Sequence, residues 1–283
     1  MPRSWPTRAT KPKPQLLFYE IADGVTAFSS MRHGGYGQGN YGEFNVNAFC
    51  GDVPQTIAMN RQLLCEELGI TEDRLLIPHQ VHGTEVCQIR QEDLQSDVGG
   101  NAGTMACPPV LEGVDAVMTD VRGVCVGVST ADCIPIIIYD PEHHATCVVH
   151  AGWRGTVKRI VRKAVLMMTE VYQSCPTQMR AVIGPGISFD NFEVGDEVYD
   201  QFEAAAFPME HISRRLPAMD GSLVKKWHID LWACNRLQLQ AEGVLPEHIE
   251  VAGICTYDSH DDFFSARRLG IASGRILTGV VLR

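Results

Sequence analysis

Short apolar runs broken by glycine, proline and acidic turns set the pattern of this chain. Leu16 to Tyr19, Gly24 to Ser29, Asp115 to Thr119, Gly123 to Ser129, Ala145 to Val149, Arg180 to Ile183, Val251 to Thr256 and Ile276 to Leu282 are too short for buried helices and rich in β-branched residues, so they predict strands. The segment around His82, in I-P-H-Q-V-H-G-T-E-V, predicts one more. Between these runs the period changes to that of a helix. Ile57, Leu64 and Leu68 share a face after Val53, with Gly69 as the stop. Val157, Ile160, Val161, Ala164, Val165 and Met168 recur at three and four residues after A-G-W-R-G-T, with Thr156 as the expected cap. Two further helices are expected, Gly195 to Ala206 and His228 to Gln240, the latter ending at Gly243. Interleaved strands and helices predict an α/β (α+β) protein, a single domain over residues 15–283 with mixed β-sheets flanked by helices. Residues 1–14 are proline-rich, basic and without period, and read as a disordered leader outside the fold. Residues 91–112 have neither period and read as a surface loop.

Composition narrows the function. With 283 residues, 45% of them hydrophobic, the chain can build a sizeable core. Its 24 basic against 34 acidic residues leave a formal charge of −10, with no basic block in the body of the chain, which argues against nucleic acid or an anionic membrane as partner. No apolar run approaches the roughly 18 to 20 residues of a membrane span, and the start lacks the apolar core of a signal peptide. A cytoplasmic protein is expected. Its 10 cysteines are scattered singly with no C-x-x-C, so they read as reduced core thiols, Cys133 being the exception.

The chemistry concentrates between Ser129 and Thr156. Cys133 follows one predicted strand and His150 closes another; if those strands are neighbours, both side chains emerge at one rim. Thiolate plus imidazole suits zinc, and a catalytic zinc takes three protein ligands and keeps its fourth position for water or substrate. His82 is the expected third ligand, whereas His79 follows a proline and faces elsewhere. Taken singly, each histidine reads as a hydrogen-bonded loop residue and Cys133 as an inert thiol; only the constellation points to a metal. Upstream, M-R-H-G-G-Y-G-Q-G-N-Y-G allows close approach of backbone to a ligand, and Arg32 at its mouth suits an anionic or planar substrate. No G-x-x-x-x-G-K-[ST] phosphate loop occurs. The helix opened by Arg154, Gly155 and Thr156 aims free backbone N–H groups back toward His150, where phosphate would be held. The alternative is that Arg154 pairs with a carboxylate and stabilises the turn. Ser265, Arg267 and Arg268 line a polar pocket or form a solvated face.

In order along the chain, R-H-G-G-Y-G-x-G, Q-V-H-G, T-A-D-C-I-P-I, H-A-G-W-R-G-T, I-G-P-G-I-S with F-E-V-G-D-E-V, and C-T-Y with F-F-S-A-R-R resemble the YfiH-type laccase-domain family. That family is also called multicopper polyphenol oxidase, and several members are described as purine nucleoside phosphorylases. The resemblance runs from about Leu16 to Arg283. It implies a fold similar to that of bacterial toxin deamidases and one zinc per chain on His82, Cys133 and His150, with copper as the alternative ion. It also implies phosphorolysis of adenosine, inosine, guanosine and methylthioadenosine, and deamination of adenosine. On that reading Asp132 moves the proton, Arg154, Gly155 and Thr156 bind phosphate, and Arg32 helps fix the anion or substrate. The 91–112 loop is longer than the family suggests and His79 is an additional histidine. Three rivals remain. A copper-dependent polyphenol oxidase (laccase) would need several copper sites, drawing on His79, His143 and His144. A metal-free cysteine hydrolase would use Cys133 as nucleophile and His150 as base. A partner-binding protein with a structural zinc would fill all four metal positions.

Overall fold

The computed structural model describes residues 11–94, 111–219 and 224–283. The predicted leader up to residue 10 and the part of the predicted surface loop at 95–110 lie outside the described residues. The chain runs β1 (Leu16–Tyr19), β2 (Val25–Ser30), α1 (Pro54–Leu68), β3 (Leu75–Leu76), β4 (Val86–Ile89), β5 (Ala116–Thr119), β6 (Cys125–Thr130), β7 (Ile134–Asp140) and β8 (Ala145–Ala151). It continues through α2 (Trp153–Val157), α3 (Ile160–Tyr172), β9 (Arg180–Ile183), β10 (Glu193–Val194), α4 (Asp196–Ala204), α5 (Met209–Ile212), β11 (Ser213–Pro217) and β12 (Lys225–Ile229). It ends with α6 (Leu231–Ala241), β13 (Ile249–Val251), α7 (Ala266–Leu269) and β14 (Ile276–Leu282).

Two large mixed sheets carry the fold, a five-stranded one in the order β1-β2-β14-β6-β3 and a six-stranded one in the order β13-β9-β7-β8-β5-β4. A small sheet, β10-β12-β11, stands beside them. Side chains alternate faces along a strand, and that alternation sorts the core into layers. Val126, Val128, Val280 and Leu282 of the first sheet meet Val117, Ile137, Tyr139 and Val148 of the second. The opposite face of the second sheet, through Ile134, Ile136, Ile138, Cys147 and Val149, packs on Val161, Val165 and Met168 of α3 and on Leu239 of α6. The opposite face of the first, through Phe28, Leu277 and Val281, packs on Leu63, Leu64 and Leu68 of α1. The result is helix, sheet, sheet, helix: the mixed α/β architecture that the sequence predicts.

Several elements depart from expectation. The run from Ile134 is a strand, β7, and it is β7 rather than β6 that pairs with β8; β6 belongs to the other sheet. The helix after His150 is broken into α2 and α3 because Arg159 takes a left-handed conformation, its guanidinium over the Phe207 ring and bonded to the Ala205 carbonyl. Thr156 is therefore inside α2, which Gly152 precedes. His228 lies within strand β12, which ends at Ile229, and α6 starts only after Asp230, whose carboxylate caps the Ala233 amide. Strand β13 stops at Val251, where Gly253 at φ +65 turns the chain away. At the other end, Lys11 pairs with Glu66 and Lys13 with Glu67, so residues 11–14 lie along the end of α1.

Candidate metal centre

Strand directions bring the distinctive motifs to one rim. β7 and β9 run antiparallel, β7 and β8 antiparallel, and β5 antiparallel to β8, so the start of β7, the ends of β8 and β9 and the start of β5 share an edge. In the other sheet β2 and β6 both run antiparallel to β14, and they leave in the same direction as each other. Cys133 precedes β7 and His150 is the penultimate residue of β8, opposite Pro135. On the other side of β8, Ala116 pairs with Val149, which puts Asp115 opposite His150. By the alternation that turns Val117 and Val148 toward the space between the sheets, Asp115 and His150 face that space too.

The third side chain, His82, is not on a strand. It sits in a bend at φ +59 because its segment turns its amides onto one carboxylate instead of pairing in a ladder. Asp115 Oδ1 accepts from the His82 amide at 3.0 Å, and Oδ2 accepts from Gly83 at 2.6 Å and Val81 at 3.3 Å. Asp115 Oδ1 also lies 2.7 Å from His150 Nδ1. Asp115 is 0% exposed and His150 3%, so water does not compete for these bonds. One buried carboxylate thus fixes the backbone of one histidine and the ring of the other.

The ligand atoms of His82, Cys133 and His150 lie within 4.8 Å of one another. In a tetrahedral zinc site, with bonds of roughly 2.0–2.3 Å, such atoms stand roughly 3.3–3.8 Å apart, so a modest contraction would close them on an ion. Gly152 walls the cluster: a Cβ there would meet Cys133 Sγ at 3.1 Å, His82 Cδ2 at 3.1 Å and His150 Nε2 at 3.7 Å. Among the described residues this is the one such cluster of three metal-capable side chains. The donor set fits a metal ion. With His150 Nδ1 held by Asp115, Nε2 is left to ligate.

The protein's own charges act in the same sense. Burial would raise the Cys133 thiol, but the His150 charge and hydrogen bonds from His150 and His82 bring it from 9.0 down to about 6. Burial would lower His150, yet the Cys133 thiolate and the Asp115 bond lift it from 6.5 to about 9.

The remaining predicted residues are placed as follows. His79 bonds Glu112 at 2.5 Å and stacks on Phe49 at 4.3 Å between ring centres, away from the cluster. His143 bonds Asp140 and His144 bonds Tyr139 in the β7–β8 turn; that is the far end of the hairpin, about 20 Å away at the usual strand rise. Arg154 is exposed over the Trp153 ring at 4.3 Å, and among the described residues it has no carboxylate partner. Gly155 is buried, and a Cβ there would stand 3.2 Å from the Gly83 carbonyl. Thr156 is 0% exposed and faces α6, its hydroxyl 3.2 Å from Asn235 Nδ2 and its carbonyl 3.1 Å from Gln238 Nε2. Arg32 gives its guanidinium to the carbonyls of Gly42, His260 and Gly39 and so clamps the glycine-rich segment. The Asp132 carboxylate bonds Thr256 and the Arg267 amide. Ser265 caps α7, and Arg268 bonds the Tyr257 hydroxyl.

Residues 26–283 match the model of a family described as multi-copper polyphenol oxidoreductase laccase. The chain belongs to this family. A relative from Bacteroides thetaiotaomicron, named purine nucleoside phosphorylase, is 41% identical over 96% of this chain and 98% of its own length. Another, from an unknown prokaryotic organism and named adenosine deaminase RL5, is 39% identical over 94% of this chain and 97% of its own. Among solved structures, YfiH from Bacillus licheniformis superposes with a TM-score of 0.85 at 26% identity, covering 95% of this chain and 97% of that one. YlmD from Geobacillus stearothermophilus gives 0.81 at 29% identity, with 98% of each chain covered. Within this laccase-type chain, Asp115 is the site residue that sequence reasoning missed. Its signal was a single aspartate before a predicted strand, and only the β5–β8 register gives it meaning.

Proposed function

We propose that this chain is a zinc-dependent purine nucleoside enzyme that cleaves adenosine, inosine, guanosine and methylthioadenosine with phosphate and deaminates adenosine. The observation that carries the reading is the convergence of His82, Cys133 and His150 within 4.8 Å, in a chain 41% identical to a protein named purine nucleoside phosphorylase. The relative named adenosine deaminase supports the second reaction. His82, Cys133 and His150 hold the ion, and Asp115 keeps the His150 ring turned so that Nε2 faces it. Bound there, zinc would supply Lewis-acid polarisation and a water of pKa about 7.

Arg154, exposed and without a carboxylate partner among the described residues, is the group for phosphate. Thr156 and Gly155 serve it indirectly, by seating α2 on α6 and on the His82 turn. Arg32 shapes the glycine-rich wall rather than offering a free guanidinium. No helix among the described residues is long and apolar enough to cross a membrane.

The test is the metal content of protein purified without added metal, paired with chromatography of adenosine incubations with and without phosphate. About one zinc per chain, with phosphate-dependent adenine release and phosphate-independent inosine, is the expected result. Several coppers per chain with phenol oxidation and no nucleoside turnover would replace the reading with the oxidase. Active protein free of metal would replace it with a Cys133 nucleophile.

A further inference from the structure

We infer that Asp132 is a positioning residue, a strut joining the Cys133 turn to the α7 segment, and not the proton carrier of the site. Its carboxylate is occupied on both oxygens by the protein itself. Oδ1 accepts from the Thr256 hydroxyl at 2.7 Å, and Oδ2 accepts from the Arg267 backbone amide at 2.6 Å. Its main chain is engaged as well, the carbonyl accepting from the Ile187 amide at 2.9 Å.

One residue thus gathers three segments that follow other elements: the turn after β9, the stretch after β13 and the first turn of α7. Those contacts fix it at φ +82, a conformation aspartate adopts more readily than most side chains. Two of the joined segments carry polar side chains that bond to each other or to a neighbouring strand. Thr256 precedes Tyr257, whose hydroxyl meets Arg268 at 3.2 Å, and Arg267 reaches the Glu193 carbonyl at 3.1 Å. The Ser265 hydroxyl takes the Arg268 amide at 3.2 Å while Asp132 takes the Arg267 amide, so the first turn of α7 is capped once from within and once from the residue next to Cys133. The arginine-bearing wall and the Cys133 sulfur are therefore held in one frame.

Hydrogen-bond valence separates a strut from a proton carrier. The Arg267 amide can only donate, and the Thr256 hydroxyl can donate or accept. An asparagine at 132 satisfies both: its Oδ1 accepts from the amide and its Nδ2 donates to the hydroxyl. An alanine satisfies neither. A strut therefore survives Asp132→Asn and fails in Asp132→Ala, whereas a proton carrier fails in both.

The activity readout rests on the nucleoside reading, so wild-type turnover is measured first; its absence counts against that reading. Where wild type is active, Asp132→Asn is expected to keep kcat/KM within about fivefold, since its hydrogen bonds are retained, with an unshifted pH profile. Asp132→Ala is expected to lose about 10²-fold through misplacement of the wall. A loss of about 10²–10⁴-fold in Asp132→Asn, the range of a deleted general acid or base, at full metal content would overturn the inference. Amide hydrogen exchange over residues 264–270 tests the strut without reference to activity. Protection in wild type and Asp132→Asn, lost in Asp132→Ala, is expected; equal exchange in all three proteins would overturn it.

Discussion

Replacing Asp115 by asparagine should weaken the metal centre and the fold together, and the geometry sets how much. The carboxylate faces four donors: His150 Nδ1 and the His82 amide on Oδ1, the Gly83 and Val81 amides on Oδ2. An asparagine must turn its NH₂ toward one of these pairs. Facing Gly83 and Val81, it sets donor against donor twice and loosens the turn that carries His82. Facing His150, it drives the Nδ1 proton to Nε2, the nitrogen required for ligation. Each stranded buried donor costs about 1–3 kcal/mol, and loss of such a supporting carboxylate weakens metal affinity about 10- to 100-fold. The assay is the zinc Kd by competition with a chromophoric chelator, with Tm in parallel. A loss of about 2 kcal/mol lowers Tm by about 4–8 °C in a chain of this size. The pH dependence carries a sign. His150 and the backbone amides outweigh burial and hold Asp115 below its ordinary 3.8, so its contribution is full above that pH and is lost as pH falls through the lowered value. Wild type should lose stability below about pH 4 more steeply than Asp115→Asn. Unchanged zinc affinity with unchanged Tm in the variant would refute the reasoning.

Two other outcomes follow from the same cluster. Gly152→Ala places a Cβ 3.1 Å from both Cys133 Sγ and His82 Cδ2; it should cut zinc affinity by at least about tenfold, a shift of about 1.4 kcal/mol, while far-UV circular dichroism stays that of wild type, and full zinc affinity would disprove the packing argument. In chelator-treated protein, alkylation of Cys133, followed by peptide mass mapping to set it apart from exposed Cys175, should rise with a midpoint near its thiol value of about 6; a midpoint near the unperturbed 9.0 would show that the histidines do not hold the thiolate.

Much of the architecture is legible in the sequence, because buried strands announce themselves by valine-rich runs and α3 by its spacing. The failures have physical causes. Pro135 interrupts the run that becomes β7, yet it stands near the strand start, where its missing N–H costs least, while its carbonyl takes the Gly184 amide. Without β7, the pairing of the Cys133 and His150 segments is assigned to the wrong strand, although the shared rim survives. His82 reads as strand because T-E-V follows it; the carboxylate that bends it lies more than thirty residues downstream. Asp115 and the Thr156–Asn235–Gln238 contact are set by register and helix packing, which no local pattern encodes. The convergence of His82, Cys133 and His150, in contrast, is legible because their chemistry is scarce and their neighbours are distinctive.

Cys133 and His150 flank a single β-hairpin, and this makes the order of assembly unequal. A hairpin closes a short loop, at small entropic cost, whereas the turn bearing His82 joins only when distant segments dock. The Cys133 sulfur and the His150 imidazole should therefore come together before the turn bearing His82 docks on Asp115. The tip of that hairpin, at His143 and His144, sits at the opposite end of both strands, so it is a natural attachment point for a fluorophore or affinity tag that leaves the metal centre untouched.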